Sequence, residues 1–141
     1  AFQLAAHGVD VLPGPTALIP ALLLSGFPCD RFVFEGFLPL KKGRKTRIES
    51  LRSESRTVVL YESPHRILRT LGELKTALGP ERRACLAREL TKMHQETLRL
   101  PLGELEAVCA QRPPKGEMVL VIEGAKARPD AFESRENEED A

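Results

Sequence analysis

Residues 57–66 have the sequence Thr57-Val58-Val59-Leu60-Tyr61-Glu62-Ser63-Pro64-His65-Arg66. The apolar, β-branched first half predicts a buried strand over residues 57–61. Ser63 is a typical N-cap and Pro64 a typical first helical residue, because the N–H that proline lacks would be unpaired there anyway. Tyr61 and Glu62 are therefore expected at the carboxyl end of a strand, where open α/β sheets bind their ligands.

The rest of the chain alternates between strand and helix patterns. Further strands are predicted at residues 9–12, 32–37, 83–88, 96–100 and 118–122. Helices are predicted at 2–7, 16–25, 47–53, 64–78 and 102–110. This alternation predicts a layered α/β domain with a mixed sheet flanked by helices. The strands at 83–88 and 96–100 are expected to be antiparallel, because the gap between them is too short for a helical crossover.

Length and composition are those of an ordinary globular domain: 141 residues, 42% hydrophobic and 29% charged. No run approaches the roughly 18–20 apolar residues of a membrane span, so no membrane association is predicted. Cys29, Cys85 and Cys109 are widely spaced, which predicts free thiols and a cytoplasmic location. The sequence opens within a pattern and without an initiator methionine, which suggests a fragment of a longer protein.

Charge is unevenly distributed along the chain. Residues 128–141 hold six acidic side chains and two arginines, so their net charge is −4 and the overall +1 leaves +5 for the remainder. We expect this acidic tail to be disordered. Positive charge is concentrated in a basic stretch that contains Lys41, Lys42, Arg44, Lys45 and Arg47. It could hold phosphates or be a solvated surface, and it lacks the interleaved aromatics of a base-stacking site.

Three other places carry polar groups at the ends of elements. Residues 13–17 form a strand–turn–helix junction, for which a plain rigid turn is the favoured interpretation. Residues 88–92 are either a site at a strand end or a solvated hairpin turn, and residues 115–117 are best interpreted as a turn. His65 opens a helix, where a surface or capping role and a site role are equally plausible.

Several kinds of chemistry lack support. The sequence has no phosphate-binding G-x-x-x-x-G-K-[ST], no G-x-G-x-x-G, no G-x-S-x-G and no H-E-x-x-H motif. Its three histidines and three cysteines lack zinc-ligand spacing, so no metal site is predicted.

Five segments, taken in order, resemble the tetrapyrrole methylase superfamily: residues 11–18, 31–39, 61–66, 87–92 and 115–121. They are most similar to its rRNA small subunit methyltransferase I branch, which methylates a cytidine ribose 2′-hydroxyl in small-subunit rRNA. The resemblance implies two-domain α/β proteins that bind S-adenosylmethionine between the domains. It also implies that residues 1–14 end an amino-terminal domain, that 15–124 form a five-stranded carboxy-terminal domain, and that 125–141 form a tail.

The resemblance also implies site residues. The cofactor contacts it suggests are Thr16, Ala17, Glu62, Leu90, Gly116 and Glu117. The basic stretch Lys41, Lys42, Arg44, Lys45 and Arg47 occupies a position that is also basic in the rRNA branch, which implies RNA contact. Candidates for orienting or deprotonating the ribose hydroxyl are Glu62, His65 and Glu89, and the choice among them, or a base on another domain, stays open.

Three functions remain as hypotheses. The first is an rRNA 2′-O-methyltransferase with S-adenosylmethionine as cofactor and small-subunit rRNA as partner. The second is a small-molecule methylase for tetrapyrroles or corrins, which would not need a phosphate-binding stretch. The third is a non-catalytic module for RNA binding or dimerisation. We further expect a homodimer, and we expect that the 141-residue chain alone transfers no methyl group.

Overall fold

The computed structural model of the chain describes residues 7–126. Its elements, in chain order, are α1 (Leu18–Ser25), β1 (Phe32–Phe37), α2 (Arg44–Ser50), β2 (Thr57–Glu62), α3 (Ile67–Leu78), β3 (Arg83–Arg88), β4 (Glu96–Pro101), α4 (Leu102–Gln111) and β5 (Met118–Ile122). A short 3₁₀ turn, Leu51–Ser53, continues α2. Between residues 7 and 126 there is no helix with the length and apolar character needed to cross a bilayer.

The five strands form one sheet in the order β1-β2-β5-β3-β4. Strands β1 and β2 are parallel, whereas β5 runs antiparallel to both β2 and β3, and β3 runs antiparallel to β4. The prediction of a mixed five-stranded α/β sheet is confirmed, as is the antiparallel pairing of β3 with β4. Every residue of β5 is buried. Since the strand is covered on both faces, all of its side chains are apolar.

The two faces of the sheet are packed differently. Alternate strand residues such as Val58 and Leu60 pack against α2, α3 and α4 in the larger core. The intervening residues, such as Val59 and Val121, pack against α1 and Phe27 in a smaller core. The second face therefore has a single covering helix in the described part of the chain, and open space remains at its end.

Three predicted helix starts differ from the structure. Helix α1 begins at Leu18 and α3 at Ile67, two and three residues later than predicted. Residues 64–66 form a turn in which the Ser63 carbonyl accepts the N–H groups of Arg66 and Ile67, so Ser63 caps through its backbone rather than its hydroxyl. Conversely, α2 begins at Arg44 rather than near residue 47, because Gly43 takes a left-handed conformation with φ of 81° and ends the loop.

The predicted strand at residues 9–12 is wrong. Val11 and Leu12 are 87% and 86% exposed, and no strand among residues 7–126 pairs with this segment. A strand is stable only where its backbone groups find partners, and an apolar run alone does not supply them. The predicted helix at 2–7, apart from residue 7, and the acidic tail beyond residue 126 lie outside the described residues.

Candidate functional site

A cleft of about 320 Å³ opens at the carboxyl ends of β2 and β3, on the face of the sheet that α1 covers. Its walls come from the residue before α1, from β1, β2, β3 and β5, from the turn after β3 and from the residue before β5. The lining residues are Ala17, Phe37, Tyr61, Glu62, Ala87, Leu90, Glu117, Met118 and Val119. The volume lies at the lower end of the range for small-molecule sites, about 300–1,000 Å³.

Four of the six predicted cofactor contacts meet in this cleft: Ala17, Glu62, Leu90 and Glu117. They come from segments far apart in the chain and share one place because the ends of β2 and β3 and the start of β5 lie side by side. Thr16 and Gly116 are exposed neighbours of lining residues rather than lining residues themselves.

Glu62 ends β2 and is 6% exposed. Its carboxylate is held by two short hydrogen bonds. The Ser63 N–H donates to Oε1 at 2.8 Å, and the Thr70 hydroxyl donates to Oε2 at 2.7 Å. Arg66 lies 3.5 Å from Oε1. These contacts fix the Glu62 side chain on the α3 side of the sheet end.

The turn after β3 is shaped by Glu89. Its carboxylate accepts the N–H of Glu117 at 2.9 Å, and its own N–H donates to the Glu117 carbonyl at 2.9 Å. The bond from the Glu117 N–H, assisted by Lys92, lowers the pKa of Glu89 below its ordinary value. Glu89 and Thr91 both have positive φ, which is uncommon outside glycine and places Leu90 at the cleft.

The three candidate bases are therefore separated. Glu62 lines the cleft with its carboxylate engaged by Thr70 and Ser63. Glu89 does not line the cleft and supports the turn. His65 is exposed in the turn before α3 and does not line it either. The structure does not bring them together as one catalytic group.

Two aromatic side chains line the cleft: Tyr61, which was expected at this strand end, and Phe37, which was not predicted. Tyr61 packs edge-on against Phe37 with ring centroids 5.8 Å apart, and against Phe34 at 5.1 Å. A signal was available in the sequence: Phe37 and Tyr61 each come near the end of a strand, and the parallel pairing of β1 with β2 places them opposite each other. Recognising that pairing would have added Phe37 to the expected site.

The basic stretch begins just after β1, whose last residue lines the cleft. Lys41, Lys42, Lys45 and Arg47 are exposed, with Arg47 placed 3.5 Å from Glu35. Arg44 differs, because it is 4% exposed and its guanidinium bonds inside the protein. We therefore leave Arg44 out of the surface available to a ligand, and call the other four residues the basic surface.

None of the three cysteines lines the cleft. No three histidine, cysteine or acidic side chains within residues 7–126 are grouped to hold a metal ion. All three cysteines are free, and burial raises the pKa of Cys85 to about 11, which makes this thiol a poor nucleophile.

Comparison with known proteins gives the family. Residues 2–106 match the family model described as Tetrapyrrole (Corrin/Porphyrin) Methylases, which is well over half of the chain. The chain belongs to the tetrapyrrole methylase family. The match spans α1 to α4 and includes most of the residues that line the cleft.

Within this family, the similar curated proteins include two named ribosomal RNA small subunit methyltransferase I. The one from Synechocystis is 50% identical over 127 residues, covering 89% of this chain and 46% of that protein. The one from Thermotoga maritima is 43% identical over 116 residues, covering 82% and 52%. The chain thus spans about half the length of the curated relatives it matches.

Solved structures of family members share the fold. The methyltransferase CobJ superposes with a TM-score of 0.64 at 23% identity, over 90% of this chain and 58% of that chain. The uroporphyrin-III C-methyl transferase from Thermus thermophilus, solved in complex with S-adenyl homocysteine, gives 0.57 at 19% identity over 86% and 56%. At these identities the likeness extends to the fold alone.

Proposed function

We propose that this chain forms the carboxy-terminal part of an S-adenosylmethionine-dependent 2′-O-methyltransferase that acts on small-subunit rRNA. The observation that carries the proposal is the cleft at the ends of β2 and β3, where four of the contacts that the resemblance implies lie together. Residues 15–124 would be the carboxy-terminal domain, and a second domain would close the cleft from the other side.

The cleft suits the cofactor in chemistry as well as position. Its floor is apolar, with Ala87, Met118 and Val119, and can cover the adenosine part of the cofactor. Glu117 places an acidic side chain at its rim, and the Glu62 carboxylate lies at the same sheet end on the α3 side. When bound, S-adenosylmethionine supplies an electrophilic methyl group on a sulfonium centre.

The chain's own residues then act mainly by orientation. A ribose hydroxyl must be aligned behind the methyl group, and such alignment is a large part of the rate in group-transfer reactions. The fixed turn 89–91 and the end of β2 form rigid walls for that alignment. The proton acceptor is left unassigned, because the Glu62 carboxylate is already engaged and Glu89 and His65 lie outside the cleft.

The basic surface favours RNA over a small tetrapyrrole. Lys41, Lys42, Lys45 and Arg47 give an exposed cationic patch directly beyond the strand that ends in the cleft. The phosphate backbone of RNA is attracted to such patches whatever the nucleotide sequence. The two curated relatives, at 43–50% identity, are named as rRNA methyltransferases, whereas the uroporphyrin-III C-methyl transferase from Thermus thermophilus is 19% identical.

The test is methyl transfer by a chimera. In this chimera, residues 7–126 of this chain replace the matching residues of the full-length Synechocystis relative. The chimera is given small-subunit rRNA or a tetrapyrrole acceptor, together with tritiated S-adenosylmethionine. Label in the ribose of small-subunit rRNA is the expected result. Label in a tetrapyrrole acceptor and none in RNA would replace this proposal with the small-molecule methylase. Cofactor binding without transfer to either acceptor would favour a non-catalytic module.

A further inference from the structure

Arg44 is a buried cation at the start of α2. It is 4% exposed, and each nitrogen of its guanidinium donates to a different part of the fold. Nη1 donates to the Pro39 carbonyl at 3.1 Å, Nη2 to the Thr70 hydroxyl at 2.8 Å, and Nε to Glu73 Oε2 at 2.6 Å. Burying a charge is costly unless its donors are all paired, so this arrangement holds the loop 38–43 firmly to α3.

The contact with Thr70 continues to the cleft. Arginine can only donate, so the Thr70 oxygen must accept from Arg44. The hydroxyl has a single hydrogen, and that hydrogen then goes to Glu62 Oε2 at 2.7 Å. Glu62 in turn accepts the Ser63 N–H at 2.8 Å. A continuous chain of hydrogen bonds thus joins the Pro39 loop to the carboxylate at the end of β2, with Arg44 donating to both Pro39 and Thr70, and Thr70 donating to Glu62.

The other end of this chain lies within the basic surface. The Arg44 N–H donates to the Lys41 carbonyl at 3.2 Å, and Lys45 is the next residue along α2. Lys41 and Lys45 also line a groove of about 630 Å³ between α2 and α3, in which Arg69 and Glu73 lie. An anion drawn to these lysines would pull on the backbone on both sides of Arg44.

We propose that Arg44 and Thr70 are positioning residues that couple RNA binding at the basic surface to the placement of Glu62 in the cofactor cleft. This inference rests on the proposed function, since it assigns a regulatory link between the two halves of that site. Phosphate binding at Lys41 and Lys45 shifts the loop, Arg44 shifts with it, and Thr70 transmits the shift to Glu62. A contiguous hydrogen-bonded network is a physical route by which two sites can be coupled.

The Ser63 amide reports directly on Glu62, because it donates to the carboxylate. The experiment titrates a short single-stranded RNA oligonucleotide into the ¹⁵N-labelled 141-residue chain and follows the Lys41, Lys45 and Ser63 amide signals by NMR. In the parent, all three signals are expected to move with one binding curve. In Thr70→Val, the lysine signals should still move with a Kd within about twofold of the parent, while the Ser63 signal stays still.

The controls separate coupling from simple support. Thr70→Ser keeps the hydroxyl and should restore the Ser63 response. Thr76→Val removes a threonine hydroxyl from the same helix, one that donates only to the Gly72 carbonyl, and should behave as the parent. If Thr70→Val fails to fold, Arg44→Lys replaces it in the experiment. A lysine side chain at position 44 cannot contact Pro39, Thr70 and Glu73 together, so this variant interrupts the link at its other end.

The outcomes are distinct. A Ser63 signal that moves equally in Thr70→Val and the parent would overturn the coupling, because RNA would then reach Ser63 by another route. Lysine signals that move while Ser63 stays still in the parent would also overturn it and leave RNA binding intact. If the lysine signals do not move in the parent, the RNA surface of the proposed function fails together with this inference.

Discussion

The Glu89 carboxylate occupies the space that a side chain at position 116 would need. A Cβ built on Gly116 would overlap the Glu89 Oε1, Cδ and Cγ atoms, and Gly116 has a φ of 83°. The same carboxylate accepts the N–H of Glu117. The turn after β3 and the turn before β5 are therefore fitted to each other at the edge of the cleft, and glycine is required at 116 for both its conformation and its size.

Replacing Gly116 with alanine is expected to destabilise the protein by about 2 kcal/mol or more, since it combines an unfavourable φ with displacement of Glu89. Urea denaturation followed by circular dichroism measures this change. Gly26→Ala is the control, because Gly26 also has a positive φ but nothing within 4 Å of its Cβ position, and it should cost about 1 kcal/mol. Equal destabilisation in the two variants would show that the packing against Glu89 is unimportant.

The dependence of the free energy of unfolding on pH, at acidic pH, should reflect the carboxylate of Glu89. Its pKa is lowered in the folded protein, chiefly by the Glu117 N–H, so the folded state binds this proton less readily than the unfolded state. Its stabilising effect is fully present above the ordinary carboxyl pKa of 4.5 and is lost as pH falls below that value through the lowered pKa.

We therefore expect the free energy of unfolding to fall less in Glu89→Gln than in the parent as the pH is lowered from about 5. Urea denaturation at each pH measures this free energy. Asp30→Asn removes one carboxylate from an exposed bend and controls for the change in net charge. A pH profile in Glu89→Gln that parallels the parent would contradict the role given to this carboxylate.

Neutralising the basic surface should weaken RNA binding and flatten its salt dependence. For each single-strand phosphate that the variant no longer binds, the slope of log Kobs against log salt is expected to fall by about 0.7. The variant Lys41→Gln/Lys42→Gln is compared with Arg31→Gln/Arg52→Gln, which removes two exposed charges outside the basic surface, before β1 and after α2. Filter binding at several salt concentrations gives the slopes, and an unchanged slope in the first variant would mean that these lysines are only solvated.

A larger side chain at position 17 should obstruct the cleft. Ala17 is exposed, precedes α1 and lines the cavity, so Ala17→Leu is expected to weaken S-adenosylhomocysteine binding by about tenfold or more without loss of stability. The measurement is calorimetry on the chimera proposed for methyl transfer. Ala110→Leu, on an exposed position of α4, is the matched control and should bind as the parent. Tight binding in Ala17→Leu would place the cofactor elsewhere.

The sequence predicted the sheet well because its strands are apolar runs with clear boundaries. The run 118–122 is short, wholly apolar and bounded by Gly116 and Gly124, which predicts a buried strand, and all five of its residues are buried. The run 9–12 is apolar apart from Asp10 but lacks a partner strand in the described chain, and sequence periodicity does not report on partners. The place of Glu62 at a ligand-binding strand end follows from the α/β rule, whereas Leu90 was expected in the cleft only from the family resemblance; both line it.

The burial of Arg44 was beyond sequence reasoning. In the sequence it is one of five cations within seven residues, and nothing local distinguishes it from Lys45. Its place is decided by Glu73 and Thr70, which lie 29 and 26 residues away on α3. Long-range partners of this kind select one charge for the interior and leave its neighbours at the surface.

The position of β5 between β2 and β3 has a consequence for biosynthesis. The strand that joins the two halves of the sheet is also the last of the five to leave the ribosome. Until residues 118–122 emerge, β1 with β2 and β3 with β4 are separate strand pairs, and β2 and β3 each expose an edge that β5 will cover. Unpaired edges invite association with other chains. A nascent polypeptide stalled before Met118 would therefore be prone to aggregation. Completion of β5 covers the exposed edges of β2 and β3 in a single step.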